Sequence, residues 1–195
     1  MARTIQGDVK HRILAAAEER LWHYGFRKTT IDEIAADAGV GKGTVYLYFD
    51  SKEDIALAIM GQFKMASIER LETIARNSEL TPIEKLTRML MTPILASHDI
   101  CGQSLGAQEM IVALRPHFKS RLKPFMEQEI ALIAEVIEQG IEERVFAVED
   151  TMQYARSMKY MLYAFLPHYA IIEDRDELCV ELERAVEIIV RGIRR

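Results

Sequence analysis

Cysteine, proline and glycine are scarce in this chain of 195 residues, which has two, five and ten of them. Two cysteines, Cys101 and Cys179, are too few for a disulfide framework and lack metal-ligand spacing. A stapled secreted fold and a zinc module are therefore excluded, and both cysteines read as small apolar residues; a redox-sensing Cys101 has only a single thiol behind it. With so few glycines and prolines the chain has long stretches without turn signals. Apolar residues recur in them at helical spacing and no convincing strand pair stands out, so the fold is expected to be all-α. No apolar run approaches the roughly 18 residues of a membrane span, and the first residues, with Arg3, Gln6, Asp8 and Lys10, have no apolar signal-peptide core. No membrane contact is expected, and the location expected is cytoplasmic. A basic surplus is missing as well. Net charge is −5, and through Asp50 seven Lys and Arg (Arg3, Lys10, Arg12, Arg20, Arg27, Lys28, Lys42) balance seven acids. Indiscriminate binding to polyanions is excluded, so any nucleic-acid contact must rest on individually placed residues. The chain also lacks an HExxH pair, a glycine-rich phosphate loop, a nucleophile elbow and a paired metal-ligand cluster. Neither catalysis, a cofactor nor a metal is expected.

What is present is a core's worth of apolar residues, 49% of the chain, and one dense stretch from Thr29 to Lys52. Thr30 followed by Glu33 makes a capping box, with Asp32 favouring the same positive helix end. Ile31, Ile34, Ala35 and Ala38 then mark one buried face, and Gly39 is placed to end the helix in the left-handed conformation while Val40 turns inward. A second helix is expected from Gly41 to Phe49. Val45 and Phe49 face in, leaving Lys42, Thr44, Leu47 and Tyr48 on the other faces, a set that suits the major groove of double-stranded DNA. Ser51 and Asp54 cap the next helix, with Lys52 in its first turn.

The sequence T-x-D-E-I-A-x-x-A-G-V, then G-T-V-Y-x-Y-F, then S-K-E is similar to the DNA-binding segment of the TetR (tetracycline-repressor) family of bacterial regulators. It departs from the family at Gly41, where serine is common; glycine has no side-chain acceptor for the start of the second helix. The resemblance implies an N-terminal helix-turn-helix domain, residues 1–52, and a helical effector-binding and dimerisation domain, residues 53–195. It implies a ligand-responsive regulator, in the first instance a repressor, bound to a near-palindromic operator. The expected DNA contacts are Thr29, with Thr30, Lys42, Thr44, Tyr48 and Lys52 chiefly on phosphates, and Gly43, Leu47 and Tyr46 near bases.

Elsewhere the chain reads as a succession of helices. A first is expected from an Asp8 cap to a Gly25 stop, with Val9, Ile13, Ala16, Ala17, Leu21 and Tyr24 facing in. The helix from Ser51 keeps phase to Ala75 and is either a signal-transmitting rod or a rigid spacer. Thr81-Pro82-Ile83-Glu84 starts another, in which Pro93 should produce a kink or an end, followed by a loop or weak helix over Ser97–Gly106. Phe118–Glu143 reads as the longest amphipathic helix. Asp150 with Gln153 and Asp174 with Glu177 cap the last two, whose wide apolar faces suggest pairing with the same helices of a second chain. If the family pattern carries over, a small-molecule effector is held by residues among Met89, His98, Gln103, Met110, Met126, Tyr154, Met158, Met161, Phe165 and His168; the methionines are equally suited to plain core. The alternative function is a helical carrier that sequesters an apolar small molecule without binding DNA.

Overall fold

The computed structural model describes residues 2–102, 105–167 and 174–195, and among them the fold is all-α with no strand. The helices are α1 (Ala2–Tyr24), α2 (Ile31–Asp37), α3 (Lys42–Tyr46), α4 (Lys52–Ala75), α5 (Pro82–Gly102), α6 (Leu105–Leu114), α7 (Phe118–Arg121), α8 (Lys123–Glu142), α9 (Thr151–Met161) and α10 (Arg175–Arg191). Single 3-10 turns occupy Arg115–His117 and Leu162–Phe165. No helix of the described residues is long and apolar enough to cross a membrane.

The chain forms two compact units. The first comprises Met1–Phe63 and Gln103–Leu122, the second Lys64–Gly102 and Lys123–Arg195. This division differs from the one expected after Lys52, and the cause is α6. Met110 and Leu114 are buried in the same cluster as Ile13, Leu21, Ile34, Val45, Phe49, Ile55 and Ile59, so the helix-turn-helix shares its core with a segment about fifty residues further on. The approach is close because Gly106 has no side chain: a Cβ there would lie 2.2 Å from the Leu21 carbonyl oxygen and 2.9 Å from that of Trp22. Gly25 ends α1 at φ +85°, a conformation that favours glycine. Trp22 packs on Phe63 with ring centroids 5.8 Å apart, inside this unit.

The second unit packs α8 against α9 and α5, and α10 against α5. Its core contains Leu71, Leu86, Met89, Ile130, Ile133, Ile137, Phe146, Ala155, Met158, Leu182, Val186 and Val190. The expected caps form: Asp150 accepts from the Gln153 amide at 2.9 Å, and Asp174 from those of Asp176 and Glu177 at 3.0 and 2.9 Å.

Four expectations about the helices are corrected. Helix α1 begins at Ala2, so Asp8 lies inside it and Tyr24, at 56% exposure, faces outward. Pro93 does not end its helix: α5 continues to Gly102, because Met89, Leu90 and Ile94 are buried around it and their packing outweighs the roughly 3 kcal/mol penalty of an interior proline. The long helix over Phe118–Glu143 is broken at the buried Leu122, which caps α7, and Pro124 falls in the first turn of α8, where a missing N–H costs nothing. Pro167 follows a helix that has already given way to a 3-10 turn, and Leu166 before it is extended at φ −70°, ψ 143°.

Candidate nucleic-acid interface

The start of α2 is built as its sequence dictates. The Thr30 hydroxyl accepts from the Glu33 amide at 3.3 Å, and the Glu33 carboxylate accepts from the Thr30 amide at 2.9 Å. The Thr30 hydroxyl, the Thr30 amide and the nearby Arg20 guanidinium hold the Glu33 carboxyl below its ordinary value. Gly39 ends the helix at φ +64°. The next amide, that of Val40, donates to Ala35 at 2.9 Å, and Val40 packs on the core. A contact that the sequence pattern did not suggest fixes this corner from α1: the Arg12 guanidinium donates to the carbonyls of Ala38 and Gly39, at 3.1 Å and 3.0 Å. The several N–H donors of the guanidinium let one side chain satisfy two adjacent end carbonyls.

Helix α3 begins at Gly41 with no side-chain cap, and Val45 and Phe49 are buried beneath it. Its opposite face is open. Leu47 is 82% exposed and Tyr46 48% exposed, and nothing lies within 4 Å of where a Gly43 Cβ would be. Lys42, also exposed, pairs with Asp32 at 2.8 Å, which raises its pKa and holds the first turns of α2 and α3 side by side. Thr44 and Tyr48 are half-buried at the edges of the face, and Tyr48 rests partly on the core.

Two of the expected contacts are engaged elsewhere. Thr29 is 1% exposed and its hydroxyl donates to the Gly25 carbonyl at 2.9 Å, so this side chain locks the corner after α1. The Lys52 ammonium donates to the carbonyls of Phe26 at 2.6 Å and Thr29 at 2.8 Å, and lies over the Phe26 ring. It pins the first turn of α4 to the α1–α2 corner, leaving one of its three N–H groups for anything else. The structure thus gathers Lys42, Gly43, Tyr46 and Leu47 on one exposed surface, flanked by Thr44 and Tyr48, with Thr30 at the neighbouring helix start.

The effector candidates separate in the same way. Met89 and Met158 are buried in the core of the second unit, with Met126 and Phe165 packed against it. The Phe165 carbonyl accepts from His98 Nε2 at 2.8 Å. Met110 belongs to the core of the first unit, because α6 packs on α1. Tyr154 and Met161 point outward at 42% and 56% exposure, since α9 turns Ala155, Met158 and Leu162 inward instead. Gln103 and His168 lie outside the described residues. The main polar feature of this unit was missed: Glu129 is fully buried on α8, its two carboxylate oxygens accepting from Lys64 of α4 at 3.1 Å and Lys159 of α9 at 2.5 Å. Its signal was present, since Glu129 falls in phase with Met126, Ile133 and Val136, a charge within an apolar stripe.

Two helices joined by a glycine turn, the second carrying an exposed leucine and tyrosine above a buried valine and phenylalanine, define a helix-turn-helix DNA-binding protein. The chain belongs to the tetR family of bacterial regulatory proteins, whose model matches residues 13–59. It is 30% identical over 137 residues to the fatty acid metabolism regulator protein of Bacillus subtilis (strain 168), covering 66% of this chain and 68% of that protein. Among solved structures, a TetR transcription regulator from Haloarcula marismortui ATCC 43049 superposes with a TM-score of 0.76 at 19% identity, covering 97% of this chain and all of that one. The transcriptional regulator FadR from Bacillus subtilis, solved in complex with stearoyl-CoA, gives a TM-score of 0.65 at 20% identity, covering 94% and 98%.

Proposed function

We propose that this protein is an operator-binding repressor of the cytoplasm that acts as a homodimer and releases DNA when a small, largely apolar effector occupies its second unit. The observation that carries the DNA reading is the exposure of Leu47 and Tyr46 beside the open Gly43 on α3. A leucine 82% exposed has no use in a monomer's packing, whereas a thymine methyl offers it an apolar partner. Lys42, Thr30, Thr44 and Tyr48 hold the flanking phosphates, with the remaining Lys52 N–H as a further donor, and the helix edge at Gly43 lets the backbone come close to the groove.

Dimerisation through α9 and α10 is supported by apolar side chains left on their outer faces: Met152, Tyr154, Tyr160 and Met161 on α9, Val180 and Ile188 on α10. Two copies about a two-fold axis set their recognition helices one duplex turn apart and read a near-palindromic site. The apolar character of the effector is supported by the methionine-rich core around Met89, Met126 and Met158 and by the stearoyl-CoA bound to a structural neighbour. The protein's task is binding, not turnover.

The test is fluorescence anisotropy of the purified protein on the DNA upstream of its own gene, against a scrambled duplex, at two salt concentrations. Specific binding that weakens as salt rises is the expected result. Equal affinity for both duplexes, or none, would favour a carrier that sequesters an apolar molecule.

A further inference from the structure

The second unit holds a charge imbalance that packing does not explain. Two ammonium groups, Lys64 and Lys159, meet one carboxylate, Glu129, so the cluster carries a net charge of +1. Glu129 is fully buried and the Lys159 side chain is 12% exposed. The adjacent pair on the same two helices does not cancel the excess: Arg156 and Glu127 neutralise each other through two 2.8 Å hydrogen bonds. Burial pushes the Lys159 ammonium below its ordinary value, Glu129 pulls the other way, and Lys64 pushes it down further. Burial alone would raise the Glu129 carboxyl, but the two ammonium groups hold it below the ordinary carboxylate range, hence ionised.

Hydrogen-bonding capacity is also left over. Each ammonium has three N–H groups, and each of these donates one to Glu129. One turn along α4 from Lys64, on the same face, the Ser67 hydroxyl is buried with no partner among the described residues. Lys64, at 35% side-chain exposure, gives the cluster an opening to solvent. The same helices α8 and α9 also carry apolar side chains of the core, Met126 and Met158. Met158 beside Lys159 is 1% exposed, and one turn away the Tyr163 hydroxyl donates to the Met126 sulfur at 2.7 Å. Excess positive charge, spare donors and an adjoining apolar core fit a ligand with one anionic end and one apolar end.

Resting on the effector reading above, we infer that Lys64, Lys159 and Ser67 form a recognition point for the anionic group of an amphipathic effector, with Glu129 holding the two lysines apart and in place. A carboxylate adding to the cluster brings its charge to zero, and a phosphate monoester, with a charge of about −1.5 to −2, takes it past zero. A carboxylate and a phosphate share this chemistry, and the probes separate them.

Decanoate, decyl phosphate and decanol are titrated into the full chain, following melting temperature and operator anisotropy in parallel. At least one anion is expected to stabilise the protein at concentrations tenfold or more below decanol; response to decanoate alone identifies a free acid, response to decyl phosphate a phosphorylated ligand. Lys64→Gln and Lys159→Met should raise the half-saturating anion concentration tenfold or more without changing that of decanol, and Lys64→Arg should restore anion binding. Should Lys159→Met not fold, the half-exposed Lys64 carries the test alone. Decanol matching the anions, lysine variants that bind them unchanged, or no binding by any probe would each overturn the inference. Anion binding that leaves operator affinity unaltered keeps this site and removes the effector reading; operator release by decanol and the anions alike keeps the effector reading and removes this site.

Discussion

In the DNA-binding unit most polar side chains that shape the backbone lie at or near the surface, Thr30 with Glu33, Arg12 with Ala38 and Gly39, Lys52 with Phe26 and Thr29, and only the uncharged Thr29 hydroxyl among those described above is buried. In the second unit the decisive polar group is a carboxylate with no exposure at all, tied to lysines from two other helices. The surface arrangement is modular. Thr30 and Glu33 satisfy groups three residues apart while Arg12 and Lys52 reach more than twenty residues along the chain, but each contact closes one corner and contributes a modest amount, so losing one loosens that corner. The buried arrangement is collective, because each charge is tolerable only while its partners stay, and its loss is felt on α4, α8 and α9 together.

Substitutions at four positions test that contrast, in falling order of expected effect on stability. Glu129→Ala leaves two lysines facing each other in the interior and should cost about 3–5 kcal/mol, read as a shift of the urea unfolding midpoint; a loss below about 1 kcal/mol would mean that water already screens the cluster. The same carboxyl sets a pH dependence. Its pKa is lowered by folding, so its contribution is fully present above the ordinary carboxylate value and is lost as pH falls through the folded value. Glu129→Gln should remove that acid limb from the stability profile.

Gly106→Ala drives a methyl into the Leu21 carbonyl and should destabilise the DNA-binding unit by about 1–3 kcal/mol in thermal or urea melts, a packing effect with no charge in it. Thr30→Ala removes one cap and should cost about 1 kcal/mol, with Thr30→Ser close to wild type in the same measurement. Leu47→Ala should change stability by no more than about 0.5 kcal/mol while weakening specific DNA binding about tenfold in anisotropy titrations. If Leu47→Ala and Thr30→Ala lost affinity and stability in the same proportion, the division between folding residues and reading residues on this surface would fail.

The same contrast explains what could be read from the sequence. Thr30, Glu33, Gly39, Val45 and Phe49 act on neighbours within a turn or two, so their types and spacing are enough, and the structure has them as expected. Lys52 and Thr29 were legible as members of the motif but not in their direction, because their partners lie on the corner after α1, more than twenty residues earlier for Lys52 and four for Thr29. Tyr24 and Tyr154 show the limit of periodicity: phase with an apolar stripe does not bury an aromatic, and both are exposed, at 56% and 42%. Met110 looked like part of the effector region because of its position in the chain, and only the seating of α6 on α1 moves it into the other core. Glu129 could have been noticed as a charge out of place, but Lys64 and Lys159 are about 65 and 30 residues away and no local pattern ties them to it.

The seating of α6 on α1 also has a consequence in time. The DNA-binding unit is discontinuous: its chain leaves at Phe63 and returns at Gln103–Leu122 with Met110 and Leu114. At about 5–20 residues per second a ribosome needs roughly 3–12 s to go from Phe63 to the end of the returning segment at Leu122. Until then the side of α1 that receives Gly106, at the Leu21 and Trp22 carbonyls, lacks α6. A nascent or truncated chain ending near Phe63 holds the whole helix-turn-helix motif without Met110 and Leu114, two of the side chains that complete its core.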